Sequence, residues 1–510
     1  MRRLYESHES RKYLIQQTSN PSNPEASSTS DNYHWKVFWT VGIALFAMVL
    51  DFSIVFLALS SIADEFEVTL RAVTWVAIAS SLTMSALMLP LGRVSDITGR
   101  KPFHIAGMVF FVSGAILAFL AQDLSTLIIA RIVMSIGSAM GQAVVFAIIV
   151  GVFPSEQRGK ALGMITTMVA IGAAAGPIIA GPVIQELGWR AIFLVTAVPT
   201  TAGIIAAYVV LDEKRIGNGE NGSRQKFDWI GAVVSATALS LLIVTISNPF
   251  AFDWRSPQIV IGATTSVVLF ALLVWWELKT ESPMLNFRFF QNSTFSWSTS
   301  ARFWGFFGGS ATFFLMPIFI QSFMGYDQRS AGLIIFVGAL GMGLASQMSG
   351  RLSDKYGFRP FTFVGLGTMV ITNIGFSFFE AETSLWIVAP VLFANGLGMG
   401  MWMAPNMSAT LSTVSRQDYG SMSAFLNLVR NVGSVTGQAL AAAIIAGIML
   451  SRGVEVQLNE LSTSTDLEVS RAFLSGWSVT FKVLAAFSAL ALFAAIKTRV
   501  FSQDQPITAK

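Results

Sequence analysis

Asp51, Arg131, Arg302 and Arg430 each interrupt a long apolar run of this 510-residue chain. An aspartate at the centre of a membrane-embedded helix costs about 2.5–3.5 kcal/mol on insertion scales, and such groups face partners or water instead of lipid. Protonation removes most of that cost, so a carboxyl at position 51 can take up and release a proton as its surroundings change. A guanidinium has no such route. Arg131 needs a carboxylate, backbone carbonyls or water, unless it lies near a helix end and snorkels to lipid phosphate. Arg430 follows Asn427 by one helical turn, which gives a polar stripe. Arg302 lies among Phe303, Trp304, Phe306 and Phe307, where a cation–π contact is available but helix packing is the commoner use of aromatics. Asp51, Arg302, Asn427 and Arg430 are thus the candidates to line a polar space between helices.

The composition sets the solvent around these groups. Of the residues 53% are apolar and 12% charged, about half the charged share of an ordinary soluble domain. Cysteine is absent, which excludes disulfides and thiolate metal sites, and three scattered histidines do not make a metal centre. There is no Gly-rich Lys-Ser/Thr phosphate loop, and Gly396-Leu-Gly-Met-Gly400 lies inside an apolar run, where it reads as packing. No enzyme, no cofactor and no metal are expected. The net charge of +4 is spread between apolar runs, so nucleic acid is not expected as a partner, and membrane lipid is.

Fourteen apolar runs are long enough to cross a bilayer, which takes about 20 residues. They cover roughly 37–61, 72–92, 102–121, 124–150, 160–184, 190–211, 228–247, 257–277, 294–323, 329–350, 361–380, 385–411, 420–450 and 476–497. With the amino terminus inside, 23 of the 33 Lys and Arg fall on the cytoplasmic side, six outside and four within spans. That bias over short loops places both termini in the cytoplasm. The segment Gly92-Arg-Val-Ser-Asp96-Ile-Thr-Gly99-Arg100-Lys101 returns as Gly350-Arg-Leu-Ser-Asp354-Lys-Tyr-Gly357-Phe-Arg359, after span 2 and again after span 10. Two similar halves of six spans follow from it, with spans 7 and 8 additional. The expected organisation is a disordered cytoplasmic tail over 1–36 and an amino-terminal six-helix bundle over 37–211. A linker with two inserted helices covers 212–293, a second six-helix bundle 294–500, and a short cytoplasmic tail 501–510. The polar stretch 451–475 reads as a partly helical outer cap.

The Gly92–Lys101 segment resembles the signature loop of the major facilitator superfamily, and the chain from about Val41 to Val500 resembles its fourteen-span drug:proton antiporter branch. Leu50-Asp51-Phe-Ser53-Ile-Val-Phe-Leu-Ala58-Leu59 is similar to that branch's first helix. Gly163, Gly172, Gly176-Pro177 and Gly181 have the spacing of the antiporter motif of the fifth helix, and Gly188-Trp189-Arg190 follows. Phe227-Asp228-Trp229-Ile-Gly231, Pro317-Ile-Phe-Ile-Gln321 and Gly420-Ser-Met-Ser-Ala-Phe-Leu-Asn427-Leu-Val-Arg430-Asn431 resemble later helices. The chain departs from the pattern at Phe56, Ser60, Ile97, Met134 and Ser135, positions that bear on cargo and coupling more than on fold.

The resemblance implies an all-α integral membrane protein of the major facilitator fold, with two six-helix bundles, two inserted helices and alternating access. It also implies proton-coupled export of amphipathic or cationic drugs, with Asp51 and Arg131 in proton transfer and cargo near the midplane. Gly92, Asp96, Gly99, Arg100, Asp354 and Arg359 would act as a latch: Asp96 can pair with an Arg or a helix amino terminus, and Arg100 and Lys101 suit an anionic lipid surface. The small residues of span 5 let helices approach closely, and Pro177 bends it. Small-molecule cargo and protons are the expected partners, and a monomer in a bacterial inner (plasma) membrane is the expected form. A metabolite exporter, or a proton symporter for an organic anion or sugar, is the alternative, kept open by Arg131, Arg302 and Arg430.

Overall fold

In the computed structural model the chain is described over residues 33–154, 157–216, 228–248, 252–253, 255–280, 287–414, 419–454 and 467–498. Fourteen long helices follow one another in these segments. The first eight are α1 (Tyr33–Phe66), α2 (Leu70–Thr98), α3 (Arg100–Phe119), α4 (Leu124–Val152), α5 (Arg158–Leu187), α6 (Ala191–Val210), α7 (Trp229–Ser247) and α8 (Pro257–Lys279). The rest are α9 (Ser293–Ile318), α10 (Gln328–Tyr356), α11 (Phe358–Phe376), α12 (Leu385–Leu411), α13 (Tyr419–Ser451) and α14 (Leu467–Lys497). Among the described residues eleven of them are long and apolar enough to cross a membrane by length and composition.

Local chemistry sets the helix ends. The side chains of Thr69, Asp123, Asp228, Asn292 and Ser384 each accept a backbone N–H from the first turn of the following helix, satisfying donors that have no intrahelical partner. Gly99 (φ +95°) and Gly357 (φ +81°) break α2 from α3 and α10 from α11 in a backbone region that side-chain-bearing residues rarely adopt. Pro317 removes a donor from α9 just before it widens into a π-helical turn, Phe319–Phe323.

Two boundaries differ from the sequence expectation. α1 begins at Tyr33, inside the segment expected to be a disordered tail. α14 begins at Leu467, nine residues before the expected start of span 14, because Val469, Ala472 and Phe473 are buried on one face while Glu468 and Arg471 stay exposed on the other. The expected tails over 1–32 and 501–510, most of the Leu211–Phe227 loop and residues 455–466 of the expected outer cap lie outside the described residues.

The helix contacts repeat between halves. α1 packs on α5 and α6, α2 on α4, and α3 on α4 and α6; correspondingly α9 packs on α13 and α14, α10 on α12, and α11 on α12 and α14. The halves meet along α5–α10 and α2–α13, two seams that exchange when the halves exchange. α7 lies against α2 and α13, and α8 packs mainly on α7, leaving Val260, Ile261, Val267, Val268 and Trp275 exposed. Bare apolar side chains of this kind, with Val198, Ile205 and Val209 on α6, are what lipid covers.

Candidate functional site

Asp51 sits eighteen residues into the 34-residue α1, near its middle, and Arg131 projects from the third turn of α4. The two meet at 2.7 Å from Nη1 to Oδ2, with side chains 2% and 7% exposed. Around the guanidinium lie the Met134 sulfur at 3.7 Å and the Phe193 ring at 5.9 Å, and its Nε has no hydrogen-bond partner among the described residues. Arg131 is therefore not a snorkelling residue: it is buried, and the Asp51 carboxylate is what balances its charge. A proton on Asp51 would remove that balance and leave a cation facing sulfur and an aromatic ring, a state that breaking a buried pair makes costly. Protonation of Asp51 would thereby weaken the attraction between α1 and α4.

A second set of contacts closes the far end of the molecule, away from the Gly99 and Gly357 turns. The Gln321 side chain donates to the Leu57 carbonyl at 3.1 Å, Ser322 to Ser60 at 2.9 Å, and Gln328 to Ser61 at 3.3 Å. All three join α1 of one half to the π turn and the start of α10 in the other. Just inside them, Phe56 meets Phe314 edge-on at 6.0 Å. The α5 motif supports the same seam. A Cβ on Gly332 of α10 would stand 2.4 Å from the Pro177 carbonyl, and one on Gly181 would stand 3.0 Å from the Gln328 carbonyl. Gly176 faces α1 instead, where a Cβ would overlap the Ser53 hydroxyl. Gly172 is likewise close to Phe46, and Gly163 lies in α5 where no side-chain surroundings are described.

At the near end, Gly92 and Asp96 lie in the last turns of α2, and Asp354 in that of α10, with their side-chain surroundings outside the described residues. The basic residues beyond them are placed. Lys101 Nζ donates to the carbonyls of Tyr208 and Leu211 at the end of α6, and Arg359 Nη2 to that of Ile496 at the end of α14. Each half thus ties the cation after its signature turn to the carboxyl end of its own sixth helix, where unpaired carbonyls favour positive charge. Arg100 donates to Ala147 and Ile216.

In the second half Arg302 is 2% exposed on α9. Its Nε donates to the Leu426 carbonyl of α13 at 2.9 Å, and its guanidinium lies 5.3 Å from the Phe306 ring. Arg430 is half-buried one turn beyond Leu426, contacting Asn431 at 3.3 Å, and Asn427 is buried beside it. The structure thus gathers Arg302, Asn427 and Arg430 on the α9–α13 contact and sets Asp51 with Arg131 in the other half. The far-end contacts through Ser60, Ser61, Gln321, Ser322 and Gln328 were not foreseen from sequence. Nor was a clamp in which Arg190 and Trp189 both donate to Glu65, with Arg190 also bonded to the Ala121 carbonyl. Pro317, placed just before Gln321, was their one local signal.

The model of the Major Facilitator Superfamily matches residues 41–438. The chain belongs to this superfamily of transporters. The riboflavin transporter RibZ of Clostridioides difficile is 28% identical over 420 residues, 81% of this chain and 88% of that protein. The multidrug resistance protein Stp of Mycobacterium tuberculosis is 25% identical over 79% of this chain and 74% of its own. The lincomycin resistance protein LmrB of Listeria monocytogenes is 25% identical over 76% and 82%. Among solved structures, a bacterial homologue of the human lysosomal transporter Spinster, crystallised inward-facing and unoccupied, aligns with a TM-score of 0.63 at 15% identity, covering 92% of this chain and 98% of that one. The fold is that of the superfamily, in a multi-pass membrane protein.

Proposed function

We propose that this transporter exports amphipathic small molecules, drugs among them, in exchange for protons, and that it belongs to the fourteen-span drug:proton antiporter branch. The observation that carries the proposal is the buried Asp51–Arg131 pair, a titratable group whose protonation changes the attraction between two helices of one bundle. Relatives named for multidrug and lincomycin resistance support the cargo class, and the RibZ similarity adds riboflavin as a probe.

The cycle follows from charge balance. Ionised Asp51 holds Arg131, and the far end is shut by the contacts to Gln321, Ser322 and Gln328. With both termini cytoplasmic, as the loop charges favour, this is the form open to cargo from the cytoplasm. Opening of the far end lets a proton reach Asp51, frees Arg131 and releases cargo outside. Return of the proton to the cytoplasm restores the pair. One charge crossing 100 mV supplies about 2.3 kcal/mol, which sustains a cargo gradient on the order of fiftyfold. Asp51 serves in this account as the proton site, because Arg131 already occupies it as counter-ion.

The test is transport of ethidium and riboflavin into inside-out vesicles with an acid interior. Uptake that collapses on adding a protonophore, and is absent with Asp51→Asn, is the expected result. Uptake that persists without a proton gradient would overturn the coupling.

A further inference from the structure

The two halves treat their buried cations differently. Arg131 has Asp51, whereas neither Arg302 nor Arg430 forms an ion pair among the described residues. Among the described residues the buried Arg302 Nη1 has no hydrogen-bond partner, nor has the Thr299 hydroxyl three residues before it on α9. Arg430 stands one turn beyond Leu426, the residue whose carbonyl holds Arg302, and a helical side chain leans back over the preceding turn. Both guanidinium-bearing residues therefore sit at the same stretch of the α9–α13 contact. α9 and α13 bring them there by running in parallel at backbone distance: a Cβ on Gly433 or Gly437 would meet the carbonyl of Phe303 or Phe307 at 2.6 or 2.2 Å. Arg302 lies nine residues into α9, about 14 Å along it, and so stands within the span and not at its end.

Two like charges within a span, one of them buried with an N–H that no described residue accepts, are unfavourable unless something supplies the missing anion. We infer that Arg302 and Arg430, with the Thr299 hydroxyl, form a subsite for the carboxylate of an organic molecule. The forked donors of arginine suit a planar carboxylate, and Phe306 supplies an apolar flank for a ring attached to it. This rests on the small-molecule transport reading and adds to it: a cargo with an acidic group gains a contact in the second half that a cation such as ethidium lacks, while the proton is handled at Asp51 in the first.

The experiment is equilibrium dialysis of the full-length protein in nanodiscs of zwitterionic lipid against benzoate, benzamide and benzamidinium, which share a shape and differ in charge. Benzoate should bind about tenfold or more tightly than the other two, and Arg302→Gln or Arg430→Gln should each weaken it by about tenfold or more. Benzoate binding is read at equilibrium with no proton gradient, so loss of this subsite is scored separately from loss of proton coupling, which the protonophore test reads. Thermal melting checks the variants; without ligand, Arg302→Gln should melt no lower than wild type, since it removes an unbalanced charge. Arg430→Gln, at a half-buried position, keeps the test in hand if Arg302→Gln does not fold. Benzamidinium binding as tightly as benzoate, or benzoate binding unchanged in a folded Arg430→Gln protein, would overturn the inference. Loss of benzoate binding in discs of anionic phosphatidylglycerol would assign the site to lipid phosphate and overturn it equally.

Discussion

Asp51 and Arg131 should behave as one unit when mutated. Their 2.7 Å contact is closed to water on both sides, so removing one partner strands the other. Stranding a buried charge costs about 3–5 kcal/mol, while removing both members of a pair is often close to neutral. Asp51→Asn keeps a neutral acceptor against Arg131, so its cost should fall at the lower end, about 3 kcal/mol. Arg131→Met leaves a carboxyl that protonation can relieve, and Asp51→Asn resembles wild type once Asp51 is itself protonated, so both costs should shrink as pH falls. The double variant should cost less than the sum of the singles by at least about 2 kcal/mol. The assay is a double-mutant cycle on detergent-solubilised protein, by thermal melting at several pH values, where effects of this size move the midpoint by a few degrees. Singles that add to within about 0.5 kcal/mol would refute the reasoning, since the two residues would then not share their energy.

Three further outcomes follow from the geometry. The chain has no native cysteine, so Ser60→Cys with Ser322→Cys, whose hydroxyls now touch, should cross-link under oxidation and halt transport until reduced; gel mobility and uptake read this together. Gly332→Leu should nearly abolish transport while leaving expression intact, because its side chain meets the Pro177 carbonyl across the moving seam, whereas Gly343→Leu, which has open space, should not; uptake normalised to protein amount is the check. Arg190→Ala should lower the melting midpoint by removing bonds to both Glu65 and the Ala121 carbonyl, an effect of about 1–3 kcal/mol that salt only partly mimics.

What sequence reveals here depends on which atoms make the contact. Helices were legible because apolar runs and capping residues are side-chain properties. α14 was cut short because Glu468 and Arg471 read as loop, although the opposite face of the same turns is buried. Asp51 and Arg131 stood out as charges in apolar runs, and the resemblance linked them in proton transfer; their 2.7 Å contact, eighty positions apart, required the fold. Arg302 was visible, but its partner is the Leu426 carbonyl, and every residue offers a carbonyl. The far-end closure had still less signal, since Ser60, Ser322 and Gln321 are small or neutral and acquire meaning only by facing one another. Lys101 suggested a lipid surface and Arg359 a latch, and both donate to helix ends, whose exposed carbonyls leave no mark in composition.

Proton movement at Asp51 is the centre of the account, and pH recording in inside-out vesicles measures it most directly. With an acid interior, adding ethidium should release protons from wild-type vesicles and from none bearing Asp51→Asn, while a correctly inserted Asp51→Glu should retain part of the response. Proton release that survives Asp51→Asn, or cargo uptake with no proton release at all, would contradict it.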